Sequence, residues 1–155
     1  MYKEKCKKVV IGFVCVLLLL VGLFFEYRKY QVKPFSCILP LSCDEVIEAD
    51  MRYSDGWVTL DLQQVTELFD ILDNCSVKFW SASTRGLSDF YADAVLCTDD
   101  PFSNGYVDIM FSADGRVTIT PQRSNYLTVY KFVDGGDAVY QYLRKIREED
   151  KGTVL

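Results

Sequence analysis

An apolar run of 17 residues without a single charge, Val9–Phe25, constrains this chain more than any other feature of its sequence. As an α-helix, the run is about 26 Å long at about 1.5 Å per residue, which is enough to cross the hydrocarbon core of a bilayer. A core helix of a soluble protein is seldom apolar on every side over such a length. The sequence therefore predicts one membrane-spanning helix at residues 9–25, with the lipid bilayer as its partner.

The residues that flank this run predict its orientation. Four basic residues stand before the run and three stand after it. A short basic leader followed by an apolar run behaves like a signal sequence, and a long following domain is translocated largely regardless of its charge. From the end of the run onwards, the chain reads GLFFEYRKYQVK at residues 22–33, which offers no small-residue cleavage site. We expect an uncleaved, single-pass anchor in the cell membrane, with residues 1–8 as a cytoplasmic leader and the C-terminal domain outside the cytoplasm.

The charge of the chain is divided unequally between the leader and the domain. Residues 1–34 hold 7 basic and 2 acidic residues, whereas residues 35–155 hold 10 basic and 20 acidic residues. A domain this acidic repels phosphate backbones, so we expect no nucleic-acid partner. The charge favours a basic protein, a peptide or a cation as partner, although acidity also serves solubility alone.

The rest of the chain has the length of one domain. About 120 residues remain after the apolar run, which suffices for a single hydrophobic core. Residues 26–42 contain Pro34 and Pro40 and lack sustained periodicity, which predicts a linker. We therefore expect the domain to span residues 43–150, with residues 151–155 as a tail.

Local patterns in this domain predict a mixed fold. Alternation over residues 44–53, followed by Asp55-Gly56 and WVTL, predicts a β-hairpin. Asp61 and Gln64 have the spacing of a capping box for a helix that ends near Asp73. Residues 77–80 predict a short extended segment, and residues 90–98, 106–111, 116–120 and 126–132 predict an antiparallel meander. A second helix follows Gly135-Gly136.

Both predicted helices have one apolar stripe. The stripes consist of Leu62, Val65, Leu68, Phe69 and Leu72 in the first helix and of Val139, Tyr142, Leu143 and Ile146 in the second. A sheet with one buried face and two amphipathic helices gives a two-layer α+β domain, in which both helices pack on one face of an antiparallel sheet.

This order of elements resembles an uncharacterised family of small secreted or membrane-tethered α+β domains of Gram-positive bacteria. The resemblance covers roughly residues 43–147. It includes DEVIEADMRYSDGWVTL, the helix with LFDIL, a polar connector, the four-strand meander that contains SADGRVTIT and the final helix with YQYL. It implies an extracytoplasmic α+β fold and supplies no catalytic residue.

Four of the six cysteines, Cys37, Cys43, Cys75 and Cys97, follow the apolar run and its basic flank. In an oxidising compartment, four cysteines can form two disulfides in any of three connectivities. The pairs Cys37–Cys43 and Cys75–Cys97 are our first expectation. Four separate buried thiols are the alternative, and a zinc site of four thiolates is disfavoured because the chain has neither a C-x-x-C motif nor a histidine.

Three tyrosines are candidates for contact with a partner. Tyr126 and Tyr130 alternate with Leu127 and Val129, which are predicted to face the helices. Tyr126 and Tyr130 are therefore predicted on the outer face of the sheet, together with Tyr106. Exposed aromatic residues anchor partners, but they also stabilise cross-strand pairs, so both interpretations stay open.

The sequence contains no recognisable catalytic motif. Without histidine, the usual general base at neutral pH is absent. We expect no catalytic residue, no metal site and no cofactor. The favoured function is a non-catalytic, membrane-anchored interaction or sensing module that meets an envelope protein or peptide. A small thiol enzyme that uses an unpaired cysteine and an accessory subunit of a membrane complex are the alternatives.

Overall fold

A computed structural model describes residues 2–39, 41–83, 89–99, 105–121 and 127–153 of the chain. The chain divides into two units, Met1–Gln31 and Val32–Leu155. The first unit is formed by helix α1 (Tyr2–Lys29), whose side chains are exposed from residue 11 onwards. The stretch Ile11–Lys29 is long and apolar enough to cross a membrane or to be a signal sequence.

In the second unit, the described residues form one antiparallel sheet of eight strands and two α-helices. The strands are β1 (Lys33–Pro34), β2 (Val46–Tyr53), β3 (Gly56–Leu60), β4 (Ser76–Ser83), β5 (Phe90–Thr98), β6 (Tyr106–Ser112), β7 (Arg116–Pro121) and β8 (Leu127–Asp134). The helices are α2 (Leu62–Asp73) and α3 (Gly136–Thr153). The strand order is β1-β4-β8-β7-β6-β5-β2-β3, and the predicted α+β class is confirmed.

The strands that are close in sequence pair as predicted. β2 and β3 form the hairpin, with Tyr53 opposite Gly56 next to the turn. β5, β6, β7 and β8 follow one another in the sheet as a meander. The three remaining pairings of the sheet join strands that are distant in sequence, since β1 pairs with β4, β2 pairs with β5 and β4 pairs with β8.

Helix α2 begins with the predicted capping box. The Asp61 carboxylate accepts a hydrogen bond of 2.8 Å from the backbone N–H of Gln64, and the Gln64 side chain accepts one of 3.0 Å from the backbone N–H of Asp61. These bonds satisfy N–H groups that have no partner within the helix. Val65, Leu68 and the rest of the predicted stripe are buried, except for Leu62, which is 74% exposed.

Helix α3 packs through the predicted side chains Val139, Tyr142, Leu143 and Ile146, all of which are buried. The Tyr142 hydroxyl donates a hydrogen bond of 2.5 Å to the Gln64 carbonyl of α2. Tight packing also fixes the turn before α3. Gly135 has a φ of +77°, and a Cβ at this position would lie 2.7 Å from the Sγ atom of Cys75.

The two helices and one face of the sheet enclose a single hydrophobic core. This core takes alternate residues from the strands, among them Met51, Ala94, Ile109 and Val117. The Tyr53 hydroxyl donates a hydrogen bond of 2.6 Å to the Leu143 carbonyl, which ties β2 to α3. The opposite sheet face, called the open face below, carries the side chains that alternate with these core residues.

The predicted linker at residues 26–42 is too long, because the fold begins earlier than Cys43. Strand β1 pairs Lys33 with Val77 of β4. Phe35 is completely buried, and its ring stacks on Phe132 with the centroids 5.8 Å apart. The backbone N–H of Phe35 also donates a hydrogen bond of 2.9 Å to the Cys75 carbonyl. A single buried aromatic residue does not produce a periodic pattern, so the sequence gives no signal that the segment around Phe35 belongs to the fold.

Candidate functional site

Two rows of directly opposed residues cross the open face. The first row runs from β3 to β8 through Trp57, Arg52, Asp93, Met110, Thr118 and Val129. The second row runs from β3 to β7 through Thr59, Asp50, Val95, Asp108 and Thr120. In these rows, strands β2, β3, β5, β6 and β7 place acidic, basic and hydroxyl side chains on the same face.

Arg52 is the cation of the first row. Its Nη2 atom lies 2.6 Å from Oδ2 of Asp93, and its guanidinium carbon lies 5.4 Å from the centroid of the Trp57 ring and 5.5 Å from that of Phe90. A guanidinium stacks well on aromatic faces because it is planar and weakly hydrated. The side chain of Arg52 is nevertheless 40% exposed, so the group stays accessible from the open face.

Asp93 lies beneath this cation and is only 1% exposed. Burial and, to a smaller extent, the negative charge of Asp108 raise the pKa of its carboxyl group to about 6, although the positive charge of Arg52 opposes both effects. The Oδ1 atom of Asp93 is buried and has no hydrogen-bond partner among the described residues. The ion pair with Arg52 thus satisfies one oxygen of Asp93 and leaves the other unpartnered.

Asp108 and two threonines complete this part of the face. Burial raises the pKa of Asp108, and the charge of Arg52 opposes the shift. The hydroxyls of Thr118 and Thr120 are buried and lack hydrogen-bond partners among the described residues. Thr120 stands directly opposite Asp108, and Thr118 stands in the row of Asp93. Unpartnered polar atoms therefore cluster around the two carboxyl groups.

Large aromatic side chains are exposed near both ends of the first row. Trp57 is 57% exposed and Phe90 is 37% exposed near the β3 end, and Trp80 of β4 is 50% exposed near the β8 end. The ammonium of Lys131 lies 5.1 Å from the centroid of the Trp80 ring. Aromatic residues that combine an apolar body with a polar group are common anchors at protein interfaces. The open face therefore has the composition of a contact surface.

The structure separates the three tyrosines that the sequence predicts on this face. Tyr106 of β6 lies on the open face, since its neighbour Val107 is in the core. Tyr130 lies on the opposite face, because it stands across from Val117 and packs against the core. The predicted parity of β8 is therefore wrong for Tyr130. Tyr126 lies outside the described residues.

The error for β8 has a physical reason. This strand has apolar or aromatic residues at both parities, so alternation alone does not fix its inward face. Phe132 contacts both Phe35 and Tyr140, and these contacts place Phe132 and Tyr130 towards the core. Val129 is buried on the other face, opposite Thr118.

The cysteines do not form the expected disulfides. The thiols of Cys37, Cys43, Cys75 and Cys97 are free, and that of Cys43 lies 3.8 Å from the Thr66 hydroxyl. Cys75 is buried just before β4 and Cys97 lies in β5, and three strands separate β4 from β5 in the sheet. A Cys75–Cys97 bond is therefore excluded by the strand order.

Neither domain thiol with a shifted pKa resembles an activated nucleophile. Burial and, to a smaller extent, the negative charge of Asp134 raise the pKa of Cys75 to about 11. Burial also raises the pKa of Cys97, and Glu48, Asp50 and Asp108 raise it further. A reactive thiol needs a lowered pKa. Among the described residues, no group of three or more cysteine, aspartate or glutamate side chains is arranged to hold a metal ion.

Comparison with known proteins gives no relative from which a role can be transferred: no family model, no curated protein and no solved structure matches the chain.

Proposed function

We propose that this chain is a membrane-anchored binding module, without catalytic activity, that contacts a protein or peptide partner through the open face of its sheet. Helix α1 is the anchor, and the domain lies outside the cytoplasm. The apolar length of α1 supports the anchor. The basic leader and the resemblance of residues 43–147 to extracytoplasmic domains support the orientation.

The observation that carries this proposal is the contrast between the two faces of the sheet. Helices α2 and α3 cover one face, whereas the other face exposes Trp57, Trp80 and Phe90 around the ion pair of Arg52 and Asp93. Exposing large aromatic residues lowers solubility, which a binding role explains. The alternative of a thiol enzyme receives no support from Cys75 or Cys97, because both have a raised pKa.

Site-specific photo-crosslinking in intact cells tests the proposal. A photoreactive phenylalanine analogue is placed at Trp57, at Trp80 or, as a control, at Leu62, which is 74% exposed on α2. Because the first two positions lie on the open face, we expect them to yield an adduct with the same partner, detected by mass spectrometry, and Leu62 to yield none. Adducts from Leu62 but from neither tryptophan position would contradict the proposed surface.

A further inference from the structure

Four carboxylates lie on strands β2, β5 and β6 of the open face. Glu48 of β2 stands opposite Cys97 of β5, and Asp50 stands opposite Val95, which itself stands opposite Asp108 of β6. The negative charges of Glu48, Asp50 and Asp108 all act on the Cys97 thiol. Together with Asp93, these three residues are called the acidic patch. Of the basic side chains, Arg52 alone is ion-paired to the patch among the described residues.

The hydrogen-bonding capacity of the acidic patch is incompletely used. Asp93 lies in the row between Arg52 and Met110, so its unpartnered Oδ1 atom belongs to the open face and not to the helix-covered core. The unpartnered Thr120 hydroxyl stands opposite Asp108. Buried polar atoms in folded proteins are normally hydrogen-bonded, so unpartnered atoms in one cluster indicate a ligand that supplies donors.

A second acidic feature adjoins the patch at the ends of the same two strands. Val46 pairs with Thr98 one step beyond the Glu48–Cys97 pair, and a cavity of about 350 Å³ opens there. The cavity is lined by Asp44, Glu45, Ile47, Thr98 and Asp99. Ile47, at the bulge of β2, is 63% exposed and provides an apolar surface. The negatively charged surface thus extends from the acidic patch to this neighbouring cavity.

We infer that the acidic patch binds a lysine or arginine side chain from a basic segment of the partner protein; this inference rests on the function proposed above. An ammonium or guanidinium group supplies a hydrogen-bond donor, which the Oδ1 atom of Asp93 lacks. It also supplies positive charge beside Asp108, to which no basic side chain is ion-paired among the described residues. A second basic residue of the segment enters the neighbouring cavity, where its aliphatic stem packs on Ile47.

A protein segment fits these observations better than a small cation. The described carboxylates are not arranged as a metal site. The cavity with Ile47 and the exposed ring of Trp57 offer apolar surface in addition to the charges of the patch, and a single ion does not use such surface. Its mixture of apolar and charged groups matches a peptide that has basic and apolar side chains.

Calorimetric titration of the full-length chain in detergent micelles tests the inference, with acetylated pentalysine amide as the probe. The variants are Asp108→Asn, Glu48→Gln and the control Asp70→Asn, which removes the same charge from an exposed position on α2. We expect Asp108→Asn and Glu48→Gln each to weaken binding about fivefold, the change that corresponds to about 1 kcal/mol. Asp70→Asn is expected to change it less than twofold.

Glu48 is exposed, so its variant keeps the test valid if Asp108→Asn does not fold. Equal losses in all three variants would overturn the inference, since binding would then depend on net charge alone. No binding of pentalysine would also overturn it. Spermine and calcium chloride are titrated in parallel, and equal affinity for either with the same dependence on the patch would assign the site to a free cation instead.

The crosslinking experiment separates this inference from the proposed function. If adducts form from Trp57 and Trp80 but the patch variants bind pentalysine normally, the open face is a contact surface and the inference is wrong. If no adducts form, the proposed function fails together with the inference that depends on it.

Discussion

At the scale of single residues, the burial of the Asp93 carboxyl group predicts a pH-dependent stability of the domain. Its pKa of about 6 lies above the ordinary aspartate value of 3.8, so the folded state binds the proton more tightly than the unfolded state does. Stability contributed by the protonated form is present at low pH and is lost as pH rises through about 6. We predict that the free energy of unfolding falls by up to about 3 kcal/mol between pH 4 and pH 7.

Chemical denaturation at several pH values, followed by tryptophan fluorescence, measures this slope. The variant Asp93→Asn cannot titrate at this position, so we expect a clearly flatter dependence, with a smaller residual slope from Asp108, whose raised pKa acts in the same direction. The control Asp70→Asn, which alters an exposed carboxyl group, should retain the wild-type slope. The same slope in Asp93→Asn and in the wild-type chain would show that Asp93 does not titrate in this range.

At the scale of elements, helix α2 shows how an apolar stripe is divided between core and solvent. Leu68 is fully buried, whereas Leu62 is 74% exposed although it belongs to the same stripe. We predict that Leu68→Ala lowers the free energy of unfolding by about 2–5 kcal/mol, because it loses buried apolar contact and leaves a cavity. The matched variant Leu62→Ala should change it by less than about 0.5 kcal/mol. Thermal or chemical unfolding of both variants makes the comparison, and equal effects would contradict the packing of α2.

At the scale of the whole molecule, the proposed orientation can be tested with two variants that each keep one cysteine. Cys37 is exposed in the domain, and Cys6 lies in the N-terminal leader. With the other cysteines changed to alanine, a membrane-impermeant maleimide should label the Cys37 variant in intact cells. It should label the Cys6 variant only after the cells have been permeabilised. The reverse pattern would place the domain in the cytoplasm, and loss of Cys6 from the mature chain would identify a cleaved signal sequence.

The sequence by itself determined the features that depend on neighbouring residues. The uncharged run at residues 9–25 predicts the long apolar helix, the Asp61–Gln64 spacing predicts the helix cap, and the Asp55-Gly56 turn predicts the β2–β3 hairpin. These features are readable because the interactions that produce them, such as capping bonds, tight turns and alternation, act over a few positions.

The tertiary structure alone decided which distant residues meet. Arg52 and Asp93 are 41 positions apart and become an ion pair because β2 pairs with β5. The alternation around each of them predicts an outward side chain, but no local pattern selects the partner strand. The burial of Phe35 and the inward face of β8 were decided in the same way, because the ring of Phe132 packs against Phe35 from the start of the domain and against Tyr140 of α3. Such choices depend on packing between elements, and a single sequence contains no local signal for that packing.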